Sequence, residues 1–340
     1  MKPGILVILL TASFLQISVF AQKADKTPPA PLYADPVYNG TRDPEIIYNA
    51  YAKEYWIFYT ASRPFTDKGN FVGTPLGIAA SKDLVNWRFL GYCSFNGVAG
   101  KPDAPHTNWA PGVFIEGDTA HMFLTFKEDT IAPWGGPSRL DHYKALVSDM
   151  QRGWKYFNTV TDHPQAIDAT VLKINNIYHM WYRDCITEPC GIYHAESQDM
   201  KSWNFTGKTA GDVNNLDITK IWYQEGPYVF FWKDKYWMIT DPGDGIATYQ
   251  SNDAVNWKYD GKILTKNTGS RKFDATNGKH ASVAIINDRA FIFYHVEPYA
   301  DLKETFPGQK FICYLQMAEL KIENNKIECD RNKQICLPRF

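Results

Sequence analysis

Apolar positions cluster into five runs dense in aromatic and β-branched residues: Tyr55-Trp-Ile-Phe-Tyr59, His121-Met-Phe-Leu-Thr125, Tyr178-His-Met-Trp-Tyr182, Tyr236-Trp-Met-Ile-Thr240 and Ala290-Phe-Ile-Phe-Tyr294. The runs are nearly continuous rather than alternating, which marks strands buried on both faces. After each of the first four comes a Ser with a Trp six residues on, at Ser81/Trp87, Ser148/Trp154, Ser197/Trp203 and Ser251/Trp257. Successive Trp of this signature lie 67, 49 and 54 residues apart. A period of that size, with several short strands per unit, points to propeller blades. Each unit reads as a short apolar strand, a turn such as Ile174-Asn-Asn-Ile177, the aromatic strand, a third strand, and a fourth beginning near the Trp. Helical periodicity is nearly absent, and the near-regular spacing argues against a β-sandwich. The expected fold is therefore all-β, a five-bladed β-propeller over residues 37–325, with an N-terminal linker at 22–36 and a C-terminal tail at 326–340. The four repeat Trp are expected to pack between blades.

Composition narrows this reading. Of 340 residues, 44% are hydrophobic and 21% charged, an ordinary globular balance that excludes a disordered, collagen-like or coiled-coil chain. With 36 basic against 37 acidic side chains, no basic excess exists to neutralise a phosphate backbone, so no nucleic acid partner is expected. The aromatic fraction, 15%, suits a β-rich chain, a protein whose rings stack on sugars, or both. At the N-terminus, Lys2, the apolar run Ile5 to Phe20 and the small Ala21 before Gln22 have the layout of a signal peptide over residues 1–21. The run is short and interrupted by Thr11, Ser13, Gln16 and Ser18, which disfavours a membrane anchor. A secreted or periplasmic protein with no membrane partner is expected.

The six cysteines then lie in a compartment that permits disulfides. Cys185 and Cys190 bracket a short loop and should be bridged on the active face, flanking the pocket. Cys329 and Cys336 bracket a polar stretch and could staple the tail. Cys93 and Cys313 are left open between pairing and remaining free.

Aligning the first strands brings chemistry into view. They begin Asp43-Pro-Glu-Ile-Ile, Ala110-Pro-Gly-Val-Phe, Asp168-Ala-Thr-Val-Leu, Glu225-Gly-Pro-Tyr-Val and His280-Ala-Ser-Val-Ala. The innermost strand of every blade lines the axis and starts on one face, so these residues should converge on a small ring. Three are carboxylates, and like charges gathered in a partly dry funnel push one another's pKa values apart. The chain at these residues resembles glycoside hydrolase family 43 and its five-bladed relatives. The matching features are Arg42-Asp43-Pro44, Asn108-Trp109-Ala110-Pro111, Ala166-Ile167-Asp168, Glu225-Gly226-Pro227 and Lys279-His280. The resemblance implies that Asp43 is the general base, that Asp168 tunes and orients, and that Glu225 is the general acid. Asp168-Ala169 stands where Asp-Pro is frequent, and Lys279 where many members carry Gly. Inverting hydrolysis fits such a set on its own terms: one acid protonates the leaving oxygen while a base about 6.5–9.5 Å away activates water.

A second ring follows from strand direction. The second strand returns to the active face, so its end should rim the pocket with Arg63, Lys127, Arg183, Asp241 and His295. Arg63 and Arg183 are candidates for binding sugar hydroxyls or holding the acids. Trp109 is a candidate stacking face, Trp134 a weaker one, and His280 completes the expected substrate-binding set. The eight histidines form no HExxH or HxH arrangement, so no catalytic transition metal is expected and no cofactor is required, with room for a structural calcium near His280. The resulting expectation is a glycosidase acting on plant or algal oligo- or polysaccharides, by default an α-L-arabinofuranosidase or β-D-xylosidase. The alternatives are a galactoside or anhydrogalactoside linkage on the same fold, or a non-catalytic sugar-binding propeller.

Overall fold

The computed structural model of the chain describes residues 27–63, 73–95, 106–128, 136–187, 189–214 and 224–337. Among them, twenty strands form five four-stranded antiparallel sheets, each from strands consecutive in sequence. Blade one holds β1 (Thr41–Asn49), β2 (Glu54–Ala61), β3 (Leu76–Ser81) and β4 (Arg88–Tyr92). Blade two holds β5 (His106–Glu116), β6 (Thr119–Glu128), β7 (Arg139–Leu146) and β8 (Lys155–Thr161). Blade three holds β9 (Ile167–Ile174), β10 (Ile177–Asp184), β11 (Gly191–Ser197) and β12 (Asn204–Lys208). Blade four holds β13 (Glu225–Trp232), β14 (Lys235–Asp241), β15 (Ile246–Ser251) and β16 (Lys258–Ile263). Blade five holds β17 (Lys279–Ile286), β18 (Arg289–Val296), β19 (Tyr314–Glu323) and β20 (Lys326–Cys329). The first strands pack in a closed ring, β1 against β5 and β17, β9 against β5 and β13, and β13 against β17. This is the five-bladed β-propeller that the repeat predicts.

The core sits between blades. Five apolar clusters each draw on two neighbouring blades, which is why the second strands carry aromatic side chains on both faces. The repeat Trp supply one contact each, edge-on against the second strand of the preceding blade. Trp154 meets Phe58 at 6.0 Å between centroids, Trp203 meets Phe123 at 5.9 Å, Trp257 meets Trp181 at 6.1 Å and Trp87 meets Phe293 at 6.4 Å. Interplanar angles of 78° to 87° are those an aromatic quadrupole prefers. The Ser ahead of each Trp starts a turn: Ser81 Oγ accepts from the Asp83 backbone N–H at 3.2 Å, and Asp83 Oδ1 accepts from Asn86 N–H at 2.8 Å. Ser197/Asp199 and Ser251/Asp253 repeat this turn. Blade two, which lacks the Ser-x-Asp spacing, uses a single 3-10 turn at Val147–Asp149 instead.

Both expected boundaries shift. The presumed linker docks from Leu32 onward along β19: Leu32 N–H donates to Leu315 O at 2.8 Å and Leu315 N–H to Tyr33 O at 3.0 Å. Asp35 is fully buried and accepts from the Tyr59 hydroxyl at 2.7 Å, which joins this segment to blade one. At the other end, residue 325 falls in the hairpin between β19 and β20, and the blade continues through Cys329. Cys329 and Cys336 are not bridged, because Cys329 packs toward the blade-five core while Cys336 is exposed. Arg331 anchors the tail instead, fully buried and paired with Asp274 at 3.0 Å. Cys93 and Cys313 are both buried and free. No helix among the described residues is long and apolar enough to cross a membrane. The proposed signal peptide, residues 1–21, lies outside the described residues.

Candidate active site

Every first strand begins with a bulge at the axis. Its register with the second strand slips between Arg42 and Glu45, Trp109 and Gly112, Glu225 and Tyr228, and Lys279 and Ala281, and in blade three opposite Trp181 to Arg183. The residue inside each bulge takes a positive φ: Asp43 47°, Ala110 40°, Asp168 59°, Gly226 56° and His280 29°. A bulge bends its strand and re-aims one side chain, here toward the axis. These residues form the true ring, which corrects the sequence alignment at one place. Gly226, not Glu225, occupies the blade-four position, and Glu225 is the counterpart of Arg42, Trp109, Ile167 and Lys279. In the other blades a β-branched residue stands three places after the ring position (Ile46, Val113, Val171 and Val283), as Val229 does after Gly226; the apolar Tyr228, three places after Glu225, hid the shift. A Cβ on Gly226 would sit 2.9 Å from His280 Cγ and Nδ1, so only glycine lets the ring approach.

The ring backbone is tied to the preceding blade. Asp43 N–H donates to His295 Nδ1 at 3.2 Å, Ala110 N–H to Thr60 Oγ1 at 2.9 Å, Asp168 N–H to Thr125 Oγ1 at 3.0 Å, and His280 N–H to Asp241 Oδ2 at 3.0 Å. Gly226 N–H donates to Asp168 Oδ2 at 3.1 Å. The side chains converge on a funnel of about 350 Å³ that includes Asp43, Asp168, Glu225, Asp241, His280 and Trp109. His280 Nδ1 lies 3.5 Å from Asp43 Oδ1 and 3.9 Å from Asp168 Oδ2.

Electrostatics separate these groups. Burial, then the Asp168 and Asp241 carboxylates, push Glu225 up to about 8, against the pull of His280 and Arg183. Asp168 and Asp241 are also raised, chiefly by burial. Burial alone would neutralise His280, but Asp43, Asp168, Glu225 and Asp241 together outweigh it and raise the imidazole. Burial lowers His295 to about 3, so its ring is neutral and its Nδ1 is free to accept from Asp43 N–H. A buried carboxyl that stays protonated at neutral pH, beside others held by N–H donors, can deliver a proton in acid–base chemistry.

The remaining expected residues divide. Trp109 lines the funnel under the Lys127 ammonium, 4.6 Å from its ring centre. Arg183 is buried, donates to Gln165 O at 3.2 Å, and lies near enough to Asp168 and Glu225 to pull both down. Arg63 stacks over Tyr38 at 5.1 Å and is not among the described residues lining the funnel. Trp134 lies outside the described residues. Cys185 and Cys190 are bridged, with Cα atoms 4.1 Å apart, just beyond the end of β10 that carries Arg183. None of that loop's described residues lines the funnel.

Sequence reading missed Glu297. It follows β18, lines the funnel, and accepts from Arg42 and from Lys279, the latter at 2.6 Å. Burial would raise its carboxyl, yet the Arg42 and Lys279 charges hold it well below the usual range. Lys279, the apparent oddity beside His280, is thus the blade-five cation that shares Glu297 with Arg42, the cation that joins blade one to blade five. No local motif marks Glu297; its one signal is a position two residues past His295.

The model for glycosyl hydrolases family 43 matches residues 33–306 of the chain. The chain belongs to glycosyl hydrolase family 43. As a family 43 member it is a glycoside hydrolase with a carbohydrate substrate. Solved structures agree on the fold. A thermostable family-43 glycoside hydrolase is 18% identical over 91% of this chain and 100% of its own, with a TM-score of 0.65. An α-L-arabinofuranosidase from Lactobacillus brevis is 15% identical over 92% of this chain and 100% of its own, with a TM-score of 0.63. A xylan β-1,4-xylosidase from Bacillus halodurans C-125 is 16% identical over 90% of this chain and 60% of its own, with a TM-score of 0.64. No curated protein sequence matches significantly.

Proposed function

We propose that this family 43 enzyme hydrolyses O-glycosidic bonds with inversion at the anomeric carbon. Glu225 donates a proton to the leaving oxygen, Asp43 activates the attacking water, and Asp168 positions and tunes the acid. The observation that carries this reading is the convergence of Asp43, Asp168 and Glu225 on one funnel at the axis, where burial and the carboxylate neighbours push Glu225 up. Asp168 reaches the Glu225 backbone through Gly226 N–H, which supports a positioning role. His280 and Arg183 balance the charge of the set, and Trp109 offers a stacking face. The carboxyls supply the chemistry without a cofactor. Calcium takes six to eight oxygen ligands, and near His280 it would have to share Asp43 and Asp168 with the imidazole.

The substrate assigned is an α-L-arabinofuranoside or β-D-xyloside of plant polysaccharide fragments, a reading supported by the arabinofuranosidase and xylosidase among the similar folds. Export to the periplasm or medium is supported by the Cys185–Cys190 bridge, which persists in oxidising compartments. The test is a panel of aryl-glycosides, followed by proton NMR of the first-formed product on the cleaved member. The initial anomer is expected to be inverted relative to substrate; a retained anomer overturns the mechanism.

A further inference from the structure

Away from the funnel, blade three carries a side-chain cluster that the hydrolysis does not use. His179 on β10 lies directly across from Glu196 on β11, and His194 lies diagonally beside them. His179 Nδ1 is 3.1 Å from His194 Nε2 and 3.6 Å from Glu196 Oε1, and the three ligand-type atoms all lie within 4.8 Å of one another. Ligands around a tetrahedral zinc at about 2.0–2.1 Å stand roughly 3.3 Å apart, so this spacing suits one ion. Both imidazoles are buried, whereas Glu196 is half-exposed and lines a surface hollow of about 540 Å³ through which an ion could enter.

The neighbouring hydroxyl sets the orientation of His194. Thr206 Oγ1 donates to the His194 carbonyl at 3.0 Å, so toward His194 Nδ1, at 2.8 Å, its oxygen is the acceptor. Nδ1 therefore carries the proton, and the Nε2 lone pair points at His179. An outer partner that fixes the tautomer and aims the lone pair is the usual support of a ligating histidine.

Blade two provides an internal comparison. His121 Nδ1 lies 2.9 Å from His142 Nε2 in the same diagonal arrangement, and His142 Nδ1 faces the Met200 carbonyl at 3.2 Å. The residue across from His121 is Lys144, where blade three has Glu196. Its ammonium lies 3.3 Å from the centre of the Phe157 ring. One His pair is thus completed by a cation, which repels a metal ion, and the other by a carboxylate, which attracts one. We propose that His179, His194 and Glu196 form a binding site for a divalent transition ion of the zinc type, with solvent in the fourth position. On binding, the His179 proton moves from Nδ1 to Nε2 with no net proton released. The ion ties β10 to β11 and stabilises blade three, apart from the acid–base chemistry.

Zinc chloride titrated into the chelator-treated full chain, followed by calorimetry, should register one ion per chain and a higher Tm. Thr206→Val, which keeps the shape of the side chain, should weaken binding about 10–100-fold. Glu196→Gln, at a half-exposed position that tolerates substitution, should weaken it at least as much, while Lys144→Gln in blade two should leave it unchanged. Cobalt(II) adds a second readout, a visible ligand-field spectrum that Glu196→Gln should alter. No binding at about millimolar zinc, far weaker than protein zinc sites, overturns the proposal. So does binding that Glu196→Gln and Thr206→Val leave untouched, since the ion would then sit elsewhere.

Discussion

The backbone N–H of Gly226 donates to Asp168 Oδ2 at 3.1 Å, a bond that departs from the pattern of the other ring positions. At those positions the acceptor is the second-strand end of the preceding blade: His295, Thr60, Thr125 and Asp241. In blade three the corresponding residue is Arg183, whose guanidinium has donors and no acceptor. Asp168 takes the N–H instead, and this fixes one carboxylate beside the backbone of Glu225. A substitution at a single second-strand end thus links two members of the acid set.

Asp168→Asn tests that link through pH. Glu225 acts as an acid only while protonated, and its pKa of about 8 marks the expected basic limb of activity. Burial is the largest contributor, followed by the Asp168 charge; removing that charge lets Glu225 ionise more readily. The basic limb of kcat/KM should therefore move to lower pH, with a residual displacement kept by burial. A limb that stays put or moves up would remove Asp168 from the tuning role.

Arg183→Gln should act in the opposite direction. The guanidinium pulls both Glu225 and Asp168 down, so its loss raises Glu225 further and extends the basic limb to higher pH. The new amide oxygen also offers Gly226 N–H a rival acceptor. The pair of profiles is the measurement, because damage to the fold would not send the two limbs opposite ways.

Glu297→Gln probes the closure between blades five and one. The wild-type carboxylate faces Arg42 and Lys279; the amide leaves both cations without their anion. Removing one partner of a buried charge cluster costs about 3–5 kcal/mol. The effect should depend on pH. The folded-state pKa of Glu297 is depressed, so its contribution is complete above the ordinary glutamate range and is lost as pH falls. Wild type and variant should converge in Tm in strong acid and separate near neutrality. Equal Tm values at neutral pH would contradict the assignment.

The blades were legible because burial on both faces leaves continuous aromatic runs, and because every repeat Trp has a fixed partner on the preceding blade. Asp43 and Asp168 could be found by aligning strand starts. Glu225 is legible as a carboxylate but falls one position out, because Tyr228 stands three residues after it and imitates the apolar residue that the other blades carry there. Arg42, Lys279 and Glu297 meet from positions up to 255 residues apart, and no spacing rule connects them. The docking of Leu32 to Gly40 was hidden for a different reason: that segment pairs through backbone groups, which every sequence possesses.

Glu225→Gln separates an enzyme from a sugar-binding propeller. If Glu225 protonates the leaving oxygen, its loss should fall most heavily on natural oligosaccharides, whose sugar alkoxides cannot depart unprotonated. An aryl-glycoside with a low-pKa phenol needs little help and should keep much of its turnover. Loss of a positioned acid or base costs about 10²–10⁴-fold, so the contrast is far outside assay noise. Asp43→Asn serves as the control, because the attacking water loses its base whichever group leaves, and both substrate classes should fall together. Equal losses on both classes in Glu225→Gln would remove it as the proton donor. Unchanged turnover in both variants would mean that the carboxylate ring holds sugar without cutting it, since neither the leaving oxygen nor the water would then depend on the groups that face them.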